Sequence, residues 1–433
     1  MPQNIYRGFG LYPAVSATNT LLTHGKNLHL PKTAITRGMG GSYGDSAIYK
    51  NILSSKSLNF FQEFNHETGS LICDSGITLA EILALIVPKG WFLPTTPGTK
   101  NISLGGAIAS DVHGKNHHQA GCFSQHVLNI TLQLGSGEIV TCSQSQEPEL
   151  FRATCGGMGL SGIILAAEIQ LLKIKSGYFL ERTYKTNHWR ETLEILDHEH
   201  STPYSVAWAD FLCTKKHIGR SLISLGDHAE KGELKIHKKP LFSVPIFAPN
   251  FLLNHLSIRA FNKLYYNKSK HSESARTVHY DTFFYPLDKI SNWNFLYGKN
   301  GFTQYQFVLP DTPKHEAIEK IITLIMQSNH RPYLTTIKRF GSANQNYLSF
   351  PLDGFCFAFD FKIRHGLWEL LNRLDIIVAD YGGRIYLAKD CRIQAPMFRR
   401  MYPRWDEFLT ICRRYGAGGK FASNQSNRTG ITP

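Results

Sequence analysis

Apolar and polar residues alternate in short runs through residues 1–175. Ser70–Asp74, Ile130–Leu134 and Ile163–Leu165 each read as a strand set between glycine-rich turns. One run in this part has helical spacing, Thr78–Leu85, with Thr78 placed to cap it and Glu81 at the capping-box position. Beyond residue 176 the pattern changes. Longer strands, Tyr305–Leu309 and Cys356–Phe361, are followed by amphipathic helices over Lys314–Ile322 and Leu367–Leu374. Strands followed by helices predict an α+β arrangement, an antiparallel sheet covered on one face. The aromatic and arginine-rich segment 386–433 is expected to return to the first part. At 433 residues the chain exceeds one ordinary core, so two domains are expected: 1–175 and 176–385, with 386–433 closing back.

Composition narrows the partners. The net charge of +14 and a pI near 9.3 favour something anionic, such as lipid headgroups or a phosphorylated substrate. No long Lys/Arg run and no nucleic-acid module is readable, so nucleic acid is not expected. The eight cysteines include no C-x-x-C pair, which argues for reduced thiols in the cytoplasm and against a zinc or disulfide scaffold. MPQNIYRGFGLYP lacks the apolar region of a signal peptide. From Pro240 to Leu256 the chain has no Asp, Glu, Lys or Arg, but Pro240, Pro245 and Pro249 and its short length exclude a spanning helix. Flanked by Lys235, Lys238 and Lys239 and by Arg259, Lys263, Lys268 and Lys270, it reads either as peripheral contact with a headgroup layer or as a buried loop.

Two glycine loops carry the candidate chemistry. The first, Thr36–Asp45, follows a short apolar run. The second, Pro97–His118, joins close-set glycines to a histidine-rich exit. Glycines without Cβ let backbone N–H groups press against an anion, and two such loops suggest one dinucleotide gripped from two sides. An ordinary dinucleotide fingerprint is disfavoured, because Gly38–Tyr43 lacks its third glycine. His113, His117 and His118 have metal-like spacing without an acidic or thiolate companion, so no metal is expected.

The strings RGMGGSYGD at 37–45, TPGTKNISLGGAIASDVHGKNHHQAG at 96–121, GGMGLSGII at 156–164 and GGRIYLAKDCR at 382–392 resemble the flavin oxidases of the vanillyl-alcohol oxidase superfamily. Within it they are most similar to the branch acting on a lipid-linked ribose, over about residues 7–425. The resemblance implies a PCMH-type FAD-binding domain, a second substrate-binding domain, and oxidation of the 2′-hydroxyl of a polyprenyl-phosphate-linked ribose. A separate short-chain reductase would complete epimerisation to arabinose. The enzyme would be cytoplasmic, with peripheral contact at the inner membrane face.

It also implies residue roles. Lys389, His113 and Tyr43 are the catalytic candidates: Lys389 to take or orient the hydroxyl proton, His113 to exchange a proton near neutral pH, Tyr43 to bond the hydroxyl. FAD would be held by Arg37, Gly38, Gly40, Gly41, Ser42, Tyr43, Gly44 and Asp45 in the first loop. The second would add Pro97, Gly98, Thr99, Ser103, Leu104, Gly105, Gly106, Ser110, His113, Gly114 and Asn116, joined by Gly162, Ile164 and Tyr386. Lys338, Gln304, Gln306, Ala358 and Cys356 would line the sugar pocket, the two glutamines sharing one strand face. Three departures stand out. A pocket cysteine of the family falls at Ala358, with Cys356 one pair away on the same face. Residues 17–33 are short for the first strand-helix unit. Cys122 stands in place of a serine in the loop after HGKNHH. Beyond these three, many relatives bond the flavin through a histidine of the first loop and none lies within 38–45, so FAD should be non-covalent. The alternative within enzymes is an oxidase of a soluble sugar, alditol or aldonolactone.

Overall fold

The computed structural model describes residues 4–24, 32–240, 242–249, 253–269, 271–310 and 314–433. The shortened edge expected over 17–33 falls partly on residues 25–31, outside the described residues. So do Lys270 and, within the apolar segment, residues 241 and 250–252.

Two larger sheets, beside a small pairing of Trp91–Phe92 with Leu172–Lys173, form the first part. Strands β1 (Asn4–Arg7), β2 (Ala14–Leu21), β3 (Ile35–Arg37) and β4 (Asn51–Ser54) lie in the order β1-β2-β4-β3. Strands β5 (Phe61–Asn65), β6 (Ser70–Asp74), β7 (Val127–Gln133), β8 (Ile139–Ser143) and β9 (Ile163–Gln170) make an antiparallel sheet, β5-β6-β9-β7-β8. Helix α1 (Leu79–Ile86) has the expected capping box. Thr78 Oγ accepts the Glu81 N–H at 3.2 Å, and Glu81 accepts the Thr78 N–H at 2.8 Å. Leu79, Ile82, Leu83 and Ile86 form its buried stripe. The short helix α2 (Leu104–Ala109) starts at Ser103, whose hydroxyl accepts the Gly106 N–H.

Residues 178–385 build an eight-stranded sheet. Its strands are β10 (Tyr178–Thr186), β11 (Tyr204–Asp210), β12 (Arg220–His228), β13 (Ser272–His279), β14 (Phe302–Pro310), β15 (Leu334–Phe340), β16 (Gly354–Lys362) and β17 (Arg384–Ile385). The order is β13-β10-β12-β11-β15-β16-β14-β17. Helices α3 (Trp189–His198), α5 (Lys314–Gln327) and α6 (Leu367–Asp380) pack on the sheet, while α4 (His255–Lys268) lies near its β10–β11 side. The strand β14 and the helices α5 and α6 run past the ends expected from the sequence, because the apolar stripes continue through Ile325 and Val378.

Central β16 reads Gly-Phe-Cys-Phe-Ala-Phe-Asp-Phe-Lys and is buried throughout. Its period of two sends Phe355, Phe357, Phe359 and Phe361 into the core shared with Ile318, Ile321, Leu371 and Leu374. The other face carries Cys356, Ala358 and Asp360, and this is the face the site uses. The segment 386–433 closes onto the first part: Ala34 bridges Phe421, and the Asn424 N–H donates to the Ile48 carbonyl at 2.9 Å.

Candidate active site

Strand register brings together the residues expected to line the sugar pocket. Gln304 lies opposite Asp360 and Gln306 opposite Ala358 across β14 and β16, while Lys338 of β15 lies opposite Cys356. Cys356 and Ala358 therefore share a face, with Asp360 next in line. The Gln304 amide donates to Asp360 Oδ1 at 2.6 Å. The Gln306 amide nitrogen is 2.9 Å from His113 Nε2 and 3.3 Å from Cys356 Sγ. Because an amide nitrogen only donates, His113 accepts at Nε2 and carries its proton on Nδ1.

Lys389 stands on the turn after β17, its Nζ 3.8 Å from the centre of the Tyr43 ring. Tyr43 packs edge-on against Phe302 and is fixed by its N–H, which donates to the Ala388 carbonyl at 3.0 Å. Thus the first glycine loop and the Lys389 turn are directly bonded. Asp390 reinforces this: it accepts from the N–H groups of Arg392 and Ile393 and from Arg428, which also reaches Asp45 at 2.7 Å. Asp45 is thereby a structural carboxylate.

Electrostatics follow from burial. Lys389 sits deep among Tyr43, Lys338 and Asp360. Burial lowers its pKa to about 7, Lys338 adding to the shift and Asp360 opposing it. Burial raises Asp360 to about 7, against the Gln304 bond and the Lys389 charge. The opposite charges of the two groups favour each other's ionised form, and burial works against both. Burial also lowers Lys338, and raises the Cys356 thiol to about 11, so Cys356 is neutral and unreactive. His113 is pushed well below its usual value by burial and by Lys338, His117 and Lys389. Against the expected exchange of a proton near neutral pH, these causes favour the uncharged imidazole, which accepts from Gln306. Tyr43 is raised well above 10 by burial and stays a phenol.

The cofactor-side residues divide by what their polar groups already do. In the first loop, the N–H groups of Met39, Gly40, Gly41 and Ser42 meet no acceptor among the described residues, and Gly40 has φ +72°. Four successive free donors make a cradle suited to a diphosphate. Arg37 instead gives its guanidinium to the carbonyls of Ala47 and Arg7. Gly38 and Gly44 are close approaches, where a Cβ would strike Ser103 Oγ at 2.1 Å or the Asp390 carbonyl oxygen at 1.8 Å.

In the second loop, Leu104 and Gly105 donate their N–H groups to Ile77 and Ser75, so these two amides are occupied by protein and not directed at a phosphate. Gly105 serves packing: a Cβ there would meet the Ser75 Cβ at 2.9 Å, whereas one at Gly106 would meet Ser103 Oγ at 3.1 Å. A Cβ on Gly98 would meet nothing within 4 Å, so the backbone at Pro97–Thr99 borders open space. The Lys100 N–H anchors this loop to Asp288 at 2.9 Å, and its amine pairs with Asp281. The Ser110 carbonyl accepts from the Tyr386 hydroxyl at 2.8 Å. Asn116 holds Pro94 and leaves no room for a side chain at Gly114. Gly162 packs on Gln133 and Leu132, beside buried Ile164. His113 Nδ1 and Thr36 Oγ are buried without a partner among the described residues, as expected where a cofactor completes the bonding. The donor set fits a flavin dinucleotide.

Two residues escaped the sequence reading. Asp360 was detectable as the lone charge in an apolar strand, in phase with Cys356 and Ala358. Lys115 was not: its amine is held by the Phe283 carbonyl and lies 4.2 Å from that ring's centre, which only the fold reveals. Among the described residues no metal cluster occurs, and His117 and His118 bond to Gly341 and Thr202.

Fold and site define an FAD-binding oxidoreductase. Residues 25–143 match the family described as an FAD binding domain. The chain is 37% identical to the decaprenylphosphoryl-beta-D-ribose oxidase of Mycolicibacterium smegmatis over 408 residues, 91% of this chain and 88% of that protein. An uncharacterised protein of Streptomyces coelicolor is 27% identical over 82% of this chain and all of its own length. A D-arabinono-1,4-lactone oxidase of Kluyveromyces lactis is 28% identical over 33% of this chain and 28% of its own. The chain belongs to the family of FAD-dependent oxidases that includes the Mycolicibacterium enzyme. Its cofactor is FAD, and it acts as an oxidoreductase.

Proposed function

We propose that this enzyme oxidises the 2′-hydroxyl of a polyprenyl-phosphate-linked ribose to the 2′-ketone. The observation that carries the reading is the buried amine of Lys389, 3.8 Å from the centre of the Tyr43 ring and within the charge field of Asp360 and Lys338, with Gln304 and Gln306 on the strand paired with that of Asp360. FAD, when bound, supplies the two-electron acceptor for the hydride leaving C2′. The neutral amine of Lys389 accepts the hydroxyl proton, and Asp360 beside it stabilises the ammonium that forms. Gln306 and Lys338 orient the sugar; neutral His113 holds Gln306 in place; Tyr43 keeps Lys389 from swinging into solvent. The first-loop amides Met39 to Ser42 hold the diphosphate, with FAD bound non-covalently.

The aldonolactone alternative draws support from a likeness over only a third of the chain, and the lipid-linked reading from one over nine-tenths. A ketone next to the anomeric phosphate calls for a reductase that returns hydride to the opposite face, so a short-chain reductase is the expected partner. The test is anaerobic flavin bleaching. Polyprenyl-phosphoryl ribose should reduce the flavin within seconds, while free ribose and aldonolactones should not; faster bleaching by a lactone would overturn the reading.

A further inference from the structure

Helix α4 is built inside out. The side facing the protein is anchored largely by polar groups: Asn262 donates to Asp210 Oδ1 at 2.9 Å, and the Tyr266 hydroxyl donates to the Thr186 carbonyl at 2.9 Å, both side chains being buried, while Ile258 adds one apolar contact to the cluster around Tyr297 and Tyr333. The side facing away is apolar. Leu256, Phe261 and Leu264 are 78%, 59% and 71% exposed, and at 100° per residue Leu256, Ala260 and Leu264 form one stripe. Ordinary surface helices have the opposite arrangement. The same apolar character continues in the preceding segment, where Phe242 and Ile246 are exposed, which removes the buried-loop reading for its described part.

Charge identifies what covers this face. Between Glu233 and Glu273 the chain has no acidic residue, and Arg259, Lys263 and Lys268 flank the stripe on α4. At the start of the helix, His255 joins His330, Arg331, Lys362 and Arg364 around a shallow surface cleft that no carboxylate lines. Lys362 ties the cleft to the helix by donating to the Leu253 carbonyl at 3.1 Å, and Arg364 donates to the Tyr333 hydroxyl at 2.8 Å.

We propose that α4 docks on an anionic phospholipid surface, its Leu256–Phe261–Leu264 face entering the headgroup–acyl boundary and the cationic cleft beside His255 receiving a lipid phosphate. A second copy of the chain would set like charges against each other around the apolar stripe, and nucleic acid would leave the leucines and phenylalanine uncovered. The lipid surface satisfies both the charge and the apolar area. The proposal draws its purpose from the lipid-linked substrate reading, yet its test uses no sugar, so the two can fail separately.

The test is vesicle flotation of the FAD-loaded enzyme. Vesicles of phosphatidylcholine with about a third phosphatidylglycerol should carry the wild type, with at least about tenfold weaker binding to pure phosphatidylcholine and release at high salt. The double variant Phe261→Glu/Leu264→Glu should lose at least about tenfold in binding while keeping its flavin spectrum and melting temperature, since both positions are exposed. Arg364→Ala should weaken only the binding that depends on the anionic lipid. Inorganic phosphate at millimolar concentration separates a free-anion site from a headgroup site: if it binds the cleft as tightly in the absence of vesicles, the headgroup assignment is wrong. Absence of wild-type binding, equal binding by the double variant, or a dimer that the variant converts to monomer would each overturn the proposal.

Discussion

The rate of flavin reduction by substrate should follow the ionisation of the Lys389–Asp360 pair. A lysine at its ordinary pKa is neutral in only about one molecule in 3,000 at pH 7. At about 7, half of the Lys389 amines are neutral there. Anaerobic stopped-flow reduction should therefore rise about tenfold per pH unit below 7 and level off above about 8. Two neighbours must move this limb in opposite directions. Asp360 raises the Lys389 pKa, so Asp360→Asn should shift the limb to lower pH; Lys338 lowers it, so Lys338→Met should shift it higher. Lys389→Met should slow reduction by about 10²–10⁴-fold and abolish the limb, while air reoxidation after dithionite reduction stays normal. The stability sign is the reverse of the catalytic benefit. A lysine whose folded pKa is depressed binds its proton less well than in the unfolded chain, so it costs stability as pH falls from about 10.5 towards 7, and Lys389→Met should melt higher at pH 7. A limb that both neighbour variants move in the same direction, or a Lys389→Met enzyme reduced within threefold of wild type, would refute the assignment.

Acid precipitation of the purified enzyme should leave the flavin in the supernatant, since residues 38–45 hold no histidine; flavin in the pellet would show a covalent bond elsewhere. Gly105→Val should push α2 off Ser75, and the purified protein should then lose most of its flavin; a full flavin-to-protein ratio would contradict the tight packing there. Asp111, fully buried, accepts from the Ser124 N–H and from Asn344, Asn346 and Ser349, so Asp111→Ala should cost about 3 kcal/mol or more in chemical denaturation. A loss below about 1 kcal/mol would mean that its donors find other partners.

Much of this was legible in the chain because the informative residues are local. Alternation in Phe355–Phe361 fixes which residues of β16 share a face, and the Thr78–Glu81 pair marks the start of α1 at Leu79. The glycine loops were legible as loops, but not in their division of labour. Whether an amide such as that of Gly105 is free depends on whether a partner such as Ser75 lies across a packed contact, and no spacing encodes that. The His113 pKa escaped for the same reason: Lys338 and Lys389 lie far along the chain. The inverted face of α4 was half visible, since its lysines and leucines can be read, whereas the burial of Asn262 against Asp210 cannot.

The bond from Arg428 to Asp45 spans 383 positions. The cation that braces the first glycine loop against the Lys389 turn is thus supplied by a helix far downstream, and the Tyr43 N–H adds a second tie to Ala388. Integrity of the first loop depends on segments that no local stretch of the chain contains, so a cut before residue 428 should loosen the loop although every one of its own residues is still present.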